Sequence, residues 1–339
     1  MHAMFPVDDL AALRDLGVLS APVPIAYGGL GWGTEPEGVL YLVEALRLLG
    51  RANLSLGRIY EAHVNTLRLI SRLGTVPQLQ QAATDAMAGH LFALWVTDDR
   101  RAPLRLHGSV LQGAKAPCSA AGHAQRALVT VTQPSGDEQM LVVDTTELAC
   151  AEFSGWQAQG MRAACNGRVV FDGVAVATSA AIGRAGDYLR QPDFSAGAWR
   201  ASAVALGGLE VLVRAMCDQI VERGRQDNPH QRARVGEALI AQETATLWVK
   251  RAAVIGEVQD RDAADITNTV NLARIAVEAT CLDVLRIVQR GLGLAAFRCG
   301  DLVELLLRDL ATYLRQPAPD ETLTEAAGHF MRRDLPPWP

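Results

Sequence analysis

The hydrophobic rhythm of this chain changes twice, and that double change constrains its fold more than any other feature. In the first ninety residues apolar side chains recur at helical spacing. Val39, Leu42, Val43, Leu46 and Leu49 share a face over Glu35 to Leu49, and Ile59, Val64, Leu67 and Ile70 share one over Asn53 to Leu73. Asp8 and Asp9 are placed to cap a helix through Leu10, Leu13 and Leu16, and Gly74 to end the Asn53 helix. From about His90 the runs become short and β-branched: Leu128 to Thr132, Met140 to Val143, and Val169-Val170-Phe171 before Asp172-Gly173. Asp-Gly between two apolar runs predicts a hairpin that pairs Val169–Phe171 with Val174–Val176. After Pro192 the helical spacing returns. Leu206, Leu209, Val213, Met216 and Ile220 are spaced as in a bundle seam, and Arg234 to Glu257 and Val270 to Leu292 read as two more long helices. Asp301 to Leu314 makes a shorter helix that Pro317 and Pro319 end, and Asp320 with Thr322 reads as the cap of a last helix from about Leu323. The expected architecture is α+β multidomain: an N-terminal helical domain over 1–90, a central β-barrel-like domain over 91–190, and a C-terminal antiparallel four-helix bundle over 191–339.

Composition narrows the class. The chain has 339 residues, 49% of them hydrophobic, so it can bury a large core, and its net charge of -5 argues against non-specific nucleic-acid or anionic-membrane binding. The N-terminal residues have neither a basic region nor an apolar stretch of the secretory kind, and the apolar run Ala201 to Val213 is interrupted by Glu210. A cytoplasmic protein is expected. The six cysteines (118, 150, 165, 217, 281 and 299) form no CxxC pair, and His107 and His123 have no matching acidic spacing, so no metal site is expected.

Several local sequences, in order along nearly the whole chain, resemble the acyl-CoA dehydrogenase family. They are Val23-Pro24 with Tyr27-Gly28-Gly29-Leu30-Gly31; Leu94-Trp95-Val96-Thr97-Asp98; Leu111 to Lys115 and on to Gly122; Gly160-Met161-Arg162; Val169 to Val176; Ala203 to Leu209; and Arg308-Asp309-Leu310. The resemblance implies FAD between the β domain and the C-terminal bundle, with an acyl thioester beside the flavin ring. It implies that Trp95, Val96 and Thr97 line the flavin by backbone and hydroxyl contacts, that Ser119 touches it, and that Arg225, or Arg223, meets the pyrophosphate. Gln289, Gly291 and Gly293 would then approach the adenosine half across a subunit interface, in a homodimer or homotetramer. Electron-transfer flavoprotein or oxygen would accept the electrons.

The chain departs from that pattern at the chemistry. Pro117 stands where the family has a Trp packing on the flavin, and the family's Arg-x-x-Phe-Gly stretch has become Arg225-Gln226-Asp227-Asn228-Pro229. Removal of an α-proton needs a carboxylate near the α-carbon. The usual position of that base matches Pro317 and the alternative one matches Trp199, beside Arg200, so neither accepts a proton. Asp320 and Glu321 are the candidate replacements, and Trp199 and Arg200 either wall the substrate pocket or pack in the core. The expected function is a flavin-dependent oxidoreductase acting on an acyl thioester or similar small molecule, oxygenation being one variant. The alternative is a catalytically silent relative that binds a thioester or a protein. Gly28 to Gly31 reads as a turn rather than a phosphate cradle, and His63 as a core or interface histidine. Gly207-Gly208 inside a helix reads as close approach to another backbone or to a cofactor.

Overall fold

A computed structural model describes residues 4–133, 136–146, 148, 151–153, 155–257 and 261–337; Met1 to Ala3 and Cys150 lie outside them. Among the described residues four α-helices come first: α1 (Val7–Asp15), α2 (Val39–Ala52), α3 (Leu54–Leu73) and α4 (Val76–Met87). Asp8 and Asp9 do not cap α1. Pro6 holds the cap position, and the two carboxylates sit in the first turn, where they complement the helix dipole. Asn53 breaks α2 from α3 in an extended conformation, and its side chain accepts the Ser55 and Leu56 N–H groups at 2.9 and 3.3 Å. A cap of this kind satisfies donors that a helix start leaves unpaired.

Among the described residues the middle of the chain forms nine strands: β1 (Phe92–Trp95), β2 (Arg105–His107), β3 (Val110–Gln112), β4 (Ala114–Cys118), β5 (Arg126–Thr132), β6 (Glu138–Asp144), β7 (Ala151–Glu152), β8 (Gly167–Val170) and β9 (Ala181–Ile182). They make two sheets. One runs β3-β2-β5-β6-β9 with β1 parallel on β5, and the other runs β4-β8-β7. The expected hairpin at Asp172-Gly173 is not made. Residues turn there, but Leu111 N–H reaches the Val174 carbonyl and Val176 N–H the Ser109 carbonyl. The outgoing segment therefore lies against residues 109–111, because Asp172 Oδ1 accepts the Gly113 N–H at 2.6 Å and anchors the turn there.

Helices resume with α5 (Asp193–Ala196), α6 (Trp199–Glu222), α7 (Pro229–Glu257), α8 (Ala263–Leu292), α9 (Leu302–Tyr313) and α10 (Pro319–Phe330). Asn228 Oδ1 accepts the His230 and Gln231 N–H groups, so Asn228-Pro229 is a helix start, with Pro just inside it. α10 begins earlier than the sequence suggested. Ala318 is its cap residue, and Asp320 and Glu321 lie in its first turn. Gly207 of α6 meets α2: a Cβ there would overlap the Arg47 carbonyl oxygen and lie 2.6 Å from the Arg51 nitrogen. The helical glycine thus serves close approach to another backbone. One continuous core joins α2, α3, α6 to α9 and both sheets. Among the described residues no helix is long and apolar enough to cross a membrane, and no three His, Cys, Asp or Glu side chains gather for a metal.

Candidate functional site

A cleft of about 750 Å³ opens on the β domain, lined by residues 97–101, Ala116, Pro117, Trp156, Asn166, Gly167 and Arg168 among others. Behind two of its lining residues, Asp98 and Ala116, lies a buried lysine. Lys115 is 1% exposed, and its Nζ lies 2.7 Å from Asp98 Oδ1 and donates to the Val96 carbonyl at 3.1 Å and Thr130 Oγ1 at 3.0 Å. A buried ammonium survives only when its donors are matched in this way. The result is a rigid joint between β1, β4 and β5, with Thr97 and Pro117 above it at the cleft. Ser119 donates its hydroxyl to Asn166 Oδ1 at 2.7 Å, and the Asn166 amide donates to the Met161 carbonyl at 3.1 Å.

Of the residues expected at the flavin, Thr97 lines the cleft directly. The Val96 carbonyl is engaged by Lys115 below it. Trp95 turns inward: it is 2% exposed, its indole N–H donates to the Ser119 carbonyl at 2.8 Å, and it packs edge-on against Phe171. Its side chain is core, because strand alternation sends it to the face opposite solvent. Ser119 reaches the cleft through Asn166. Sequence reasoning missed Asn166, Trp156, Arg100, Arg101 and Arg168. Asn166, Trp156 and Arg168 lie far along the chain from Thr97, so only the fold brings them to it, while Arg100 and Arg101 follow it closely on the same loop.

Arg225, Gln289, Gly291 and Gly293 gather at one end of the bundle. Arg223 Nη1 donates to the Leu292 carbonyl at 3.3 Å, which brings the α6 end to the α8 end. Arg225 is exposed there and Gly293 stands with φ +62 as the residue ending α8. Gly291 is enclosed by its own bundle: its carbonyl accepts Gln231 Nε2 at 2.9 Å, and a Cβ would meet Gln231, Met216 and Arg234.

Trp199 and Arg200 are both buried. Arg200 Nη2 pairs with Glu257 Oε1 at 2.9 Å and Nη1 donates to Asn65 Oδ1 at 3.0 Å. Arg68 holds the other Glu257 oxygen and donates to the Gly33 carbonyl at 2.7 Å. Burial, and then the neighbouring Arg68, bring the Arg200 pKa down to about 10. The Arg200 guanidinium also lies 5.1 Å from the Trp199 ring centre. Pro317, Asp320 and Glu321 are all exposed. Asp309 ties α9 to the loop before β8: its Oδ1 accepts the Met161 N–H at 2.7 Å, and burial pushes its carboxyl up.

No family model matches the chain, and no curated protein matches it. Solved structures do. Butyryl-CoA dehydrogenase from Megasphaera elsdenii superposes with a TM-score of 0.82 at 16% identity, over 97% of this chain and 91% of its own. TdsC from Paenibacillus sp. A11-2, in a complex with FMN and indole, gives 0.84 at 18% identity over 99% and 93%. The methanesulfinate monooxygenase MsuC from Pseudomonas fluorescens gives 0.84 at 18% identity over 99% and 93%. Likeness of this extent at this identity concerns the backbone, and it runs through all three parts of the molecule. The chain has the acyl-CoA dehydrogenase fold.

Proposed function

We propose that the chain is a flavin-dependent oxidoreductase whose β-domain cleft holds the flavin ring and whose electron acceptor is oxygen. The observation that carries this reading is the cleft over Thr97, Pro117, Trp156 and Asn166, whose volume of about 750 Å³ suits a small-molecule site. Its lining fits a flavin: Trp156 and Pro117 offer flat apolar faces, and the Thr97 hydroxyl, which has no hydrogen-bond partner among the described residues, is free for the ring edge. A bound flavin supplies two-electron transfer and reactivity toward oxygen. FAD is the form the sequence resemblance implies, and FMN is the form named in the TdsC complex.

Oxygenation is favoured over α,β-dehydrogenation because neither position that matches the family's base carries a carboxylate. Trp199 is wholly buried and Pro317 exposed. Both oxygens of Glu257 are occupied by arginines, and Glu61 is held by Arg58 and Asn65. Asp320 and Glu321 stand in solvent on α10. The MsuC likeness supports the same choice, since that protein is named a monooxygenase. The substrate is an acyl thioester or another small organic molecule. Exposed Leu239, Ile240 and Leu294 suit self-association as a homodimer or homotetramer, in the cytoplasm.

The test is to load the protein with flavin and add butyryl-CoA without oxygen. The proposal expects no bleaching, and oxygen-dependent product formation once the flavin is reduced in a screen of small substrates. Anaerobic bleaching that is lost in Glu321→Gln would instead identify a dehydrogenase with a relocated base.

A further inference from the structure

The loop from β1 to β2 carries Asp98-Asp99-Arg100-Arg101 along the cleft. Both carboxylates are occupied. Asp98 pairs with Lys115, and its Oδ1 accepts the Leu104 N–H at 3.2 Å. Asp99 Oδ1 accepts the N–H groups of Arg101 and Ala102 at 2.7 and 3.2 Å, and its Oδ2 lies 2.6 Å from Arg168 Nε. These backbone bonds, followed by Arg168, hold the Asp99 carboxyl below its ordinary range. Arg168 also reaches Glu152 at 3.5 Å. The loop is pressed against Gly113, which stands at φ +109, where a Cβ would lie 2.9 Å from the Ala102 carbonyl and overlap that of Pro103. The turn is therefore fixed at both ends, with its acids neutralised from below.

Two guanidiniums remain. Arg100 and Arg101 are exposed at the cleft, and among the described residues neither side chain has a hydrogen bond or an ion pair. Adjacent like charges on a fixed turn repel each other, and the nearby carboxylates are already paired. A phosphate relieves that repulsion and matches the planar fork of arginine in geometry and charge.

We propose that Arg100 and Arg101 form an anion clamp that takes the phosphate of the molecule occupying the cleft. The inference rests on the flavin reading only for the identity of that molecule. The shared chemistry is a phosphate ester, borne by FMN, by FAD as a diphosphate, or by coenzyme A as the carrier of a thioester.

Binding of riboflavin, FMN, FAD and coenzyme A to the purified protein, measured by calorimetry, tests it. The arms are wild type, Arg100→Gln/Arg101→Gln and the charge-keeping Arg100→Lys/Arg101→Lys, each with its melting temperature. The clamp predicts that at least one phosphorylated ligand loses affinity by about tenfold or more in the Gln variant, consistent with loss of charged hydrogen bonds. It predicts partial retention in the Lys variant and unchanged riboflavin binding in both. The ligand that shows this pattern names the source. Riboflavin and FMN binding equally to all three proteins would overturn the clamp and leave the flavin reading standing. Arginine-dependent binding of coenzyme A alone, with no flavin bound, would support the clamp and end the flavin reading. No binding by any of the four would end both.

Discussion

Ser119 donates its hydroxyl to the Asn166 side-chain oxygen at 2.7 Å, and that bond fixes the cleft floor between β4 and the loop before β8. Asn166 is 8% exposed, so its oxygen has little water to turn to. Ser119→Ala should cost about 1–3 kcal/mol of stability, the penalty for a buried acceptor left unpaired. It should also weaken flavin binding, because Asn166 is then held at the cleft only by its bond to the Met161 carbonyl. Denaturant midpoints and a flavin titration check this. Wild-type values for both would show that the bond does not shape the site.

Glu257 is a buried anion between two buried cations, Arg68 and Arg200. Glu257→Ala leaves two guanidiniums facing each other without the carboxylate they share. A loss of about 3–5 kcal/mol is expected, as when one partner of a buried pair is removed. Urea unfolding measures it. A loss below about 1 kcal/mol, the range of exposed pairs, would mean that water enters the cluster.

His63 is buried in the neutral form. Its Nε2 meets the Leu19 carbonyl at 2.7 Å and its Nδ1 accepts the Phe92 N–H at 3.1 Å, so protonation would break the second bond. Burial lowers its pKa to about 4 from 6.5. The folded-state value is depressed, so the unfolded chain takes up the proton first as pH falls. Stability is therefore full above pH 6.5 and is lost progressively down to about pH 4, by about 3 kcal/mol from this group. Melting temperatures from pH 8 to 5 should fall for the wild type and fall less steeply for His63→Gln. Parallel curves would place the sensitivity elsewhere.

Gly207 lets α6 touch α2 backbone to backbone, and the atoms a methyl would meet are main-chain atoms that cannot rotate away. Gly207→Ala should destabilise by about 3 kcal/mol or more despite the better helix propensity of Ala. Gly236, whose Cβ would meet nothing within 4 Å, is the control: Gly236→Ala should be neutral or stabilising. Equal effects at both positions would contradict the close approach.

The architecture was legible because periodicity reports which face is buried. The seam from Leu206 to Ile220 is buried along α6, and Asn53 marks the break between two helices. Partners were less legible. Nothing local reveals that residues 174–176 leave the Asp172-Gly173 turn to lie on 109–111, because strand pairing is a long-range choice. The site was legible in part. Thr97 follows from the resemblance and lines the cleft; Trp95 was expected there by its backbone, and its indole packs in the core. Asn166 and Trp156 reach the cleft from loops, and Arg168 from β8, all distant in sequence from Thr97. Arg200 could wall a pocket or pack in the core as far as the sequence tells; only the fold brings Glu257 and Asn65 against it.

The most direct test of the account is the visible absorption spectrum of the purified protein after incubation with FMN or FAD and removal of free ligand. The account predicts a yellow protein carrying one flavin per chain, with Trp156→Ala lowering that occupancy. A protein that stays colourless with both flavins would contradict it.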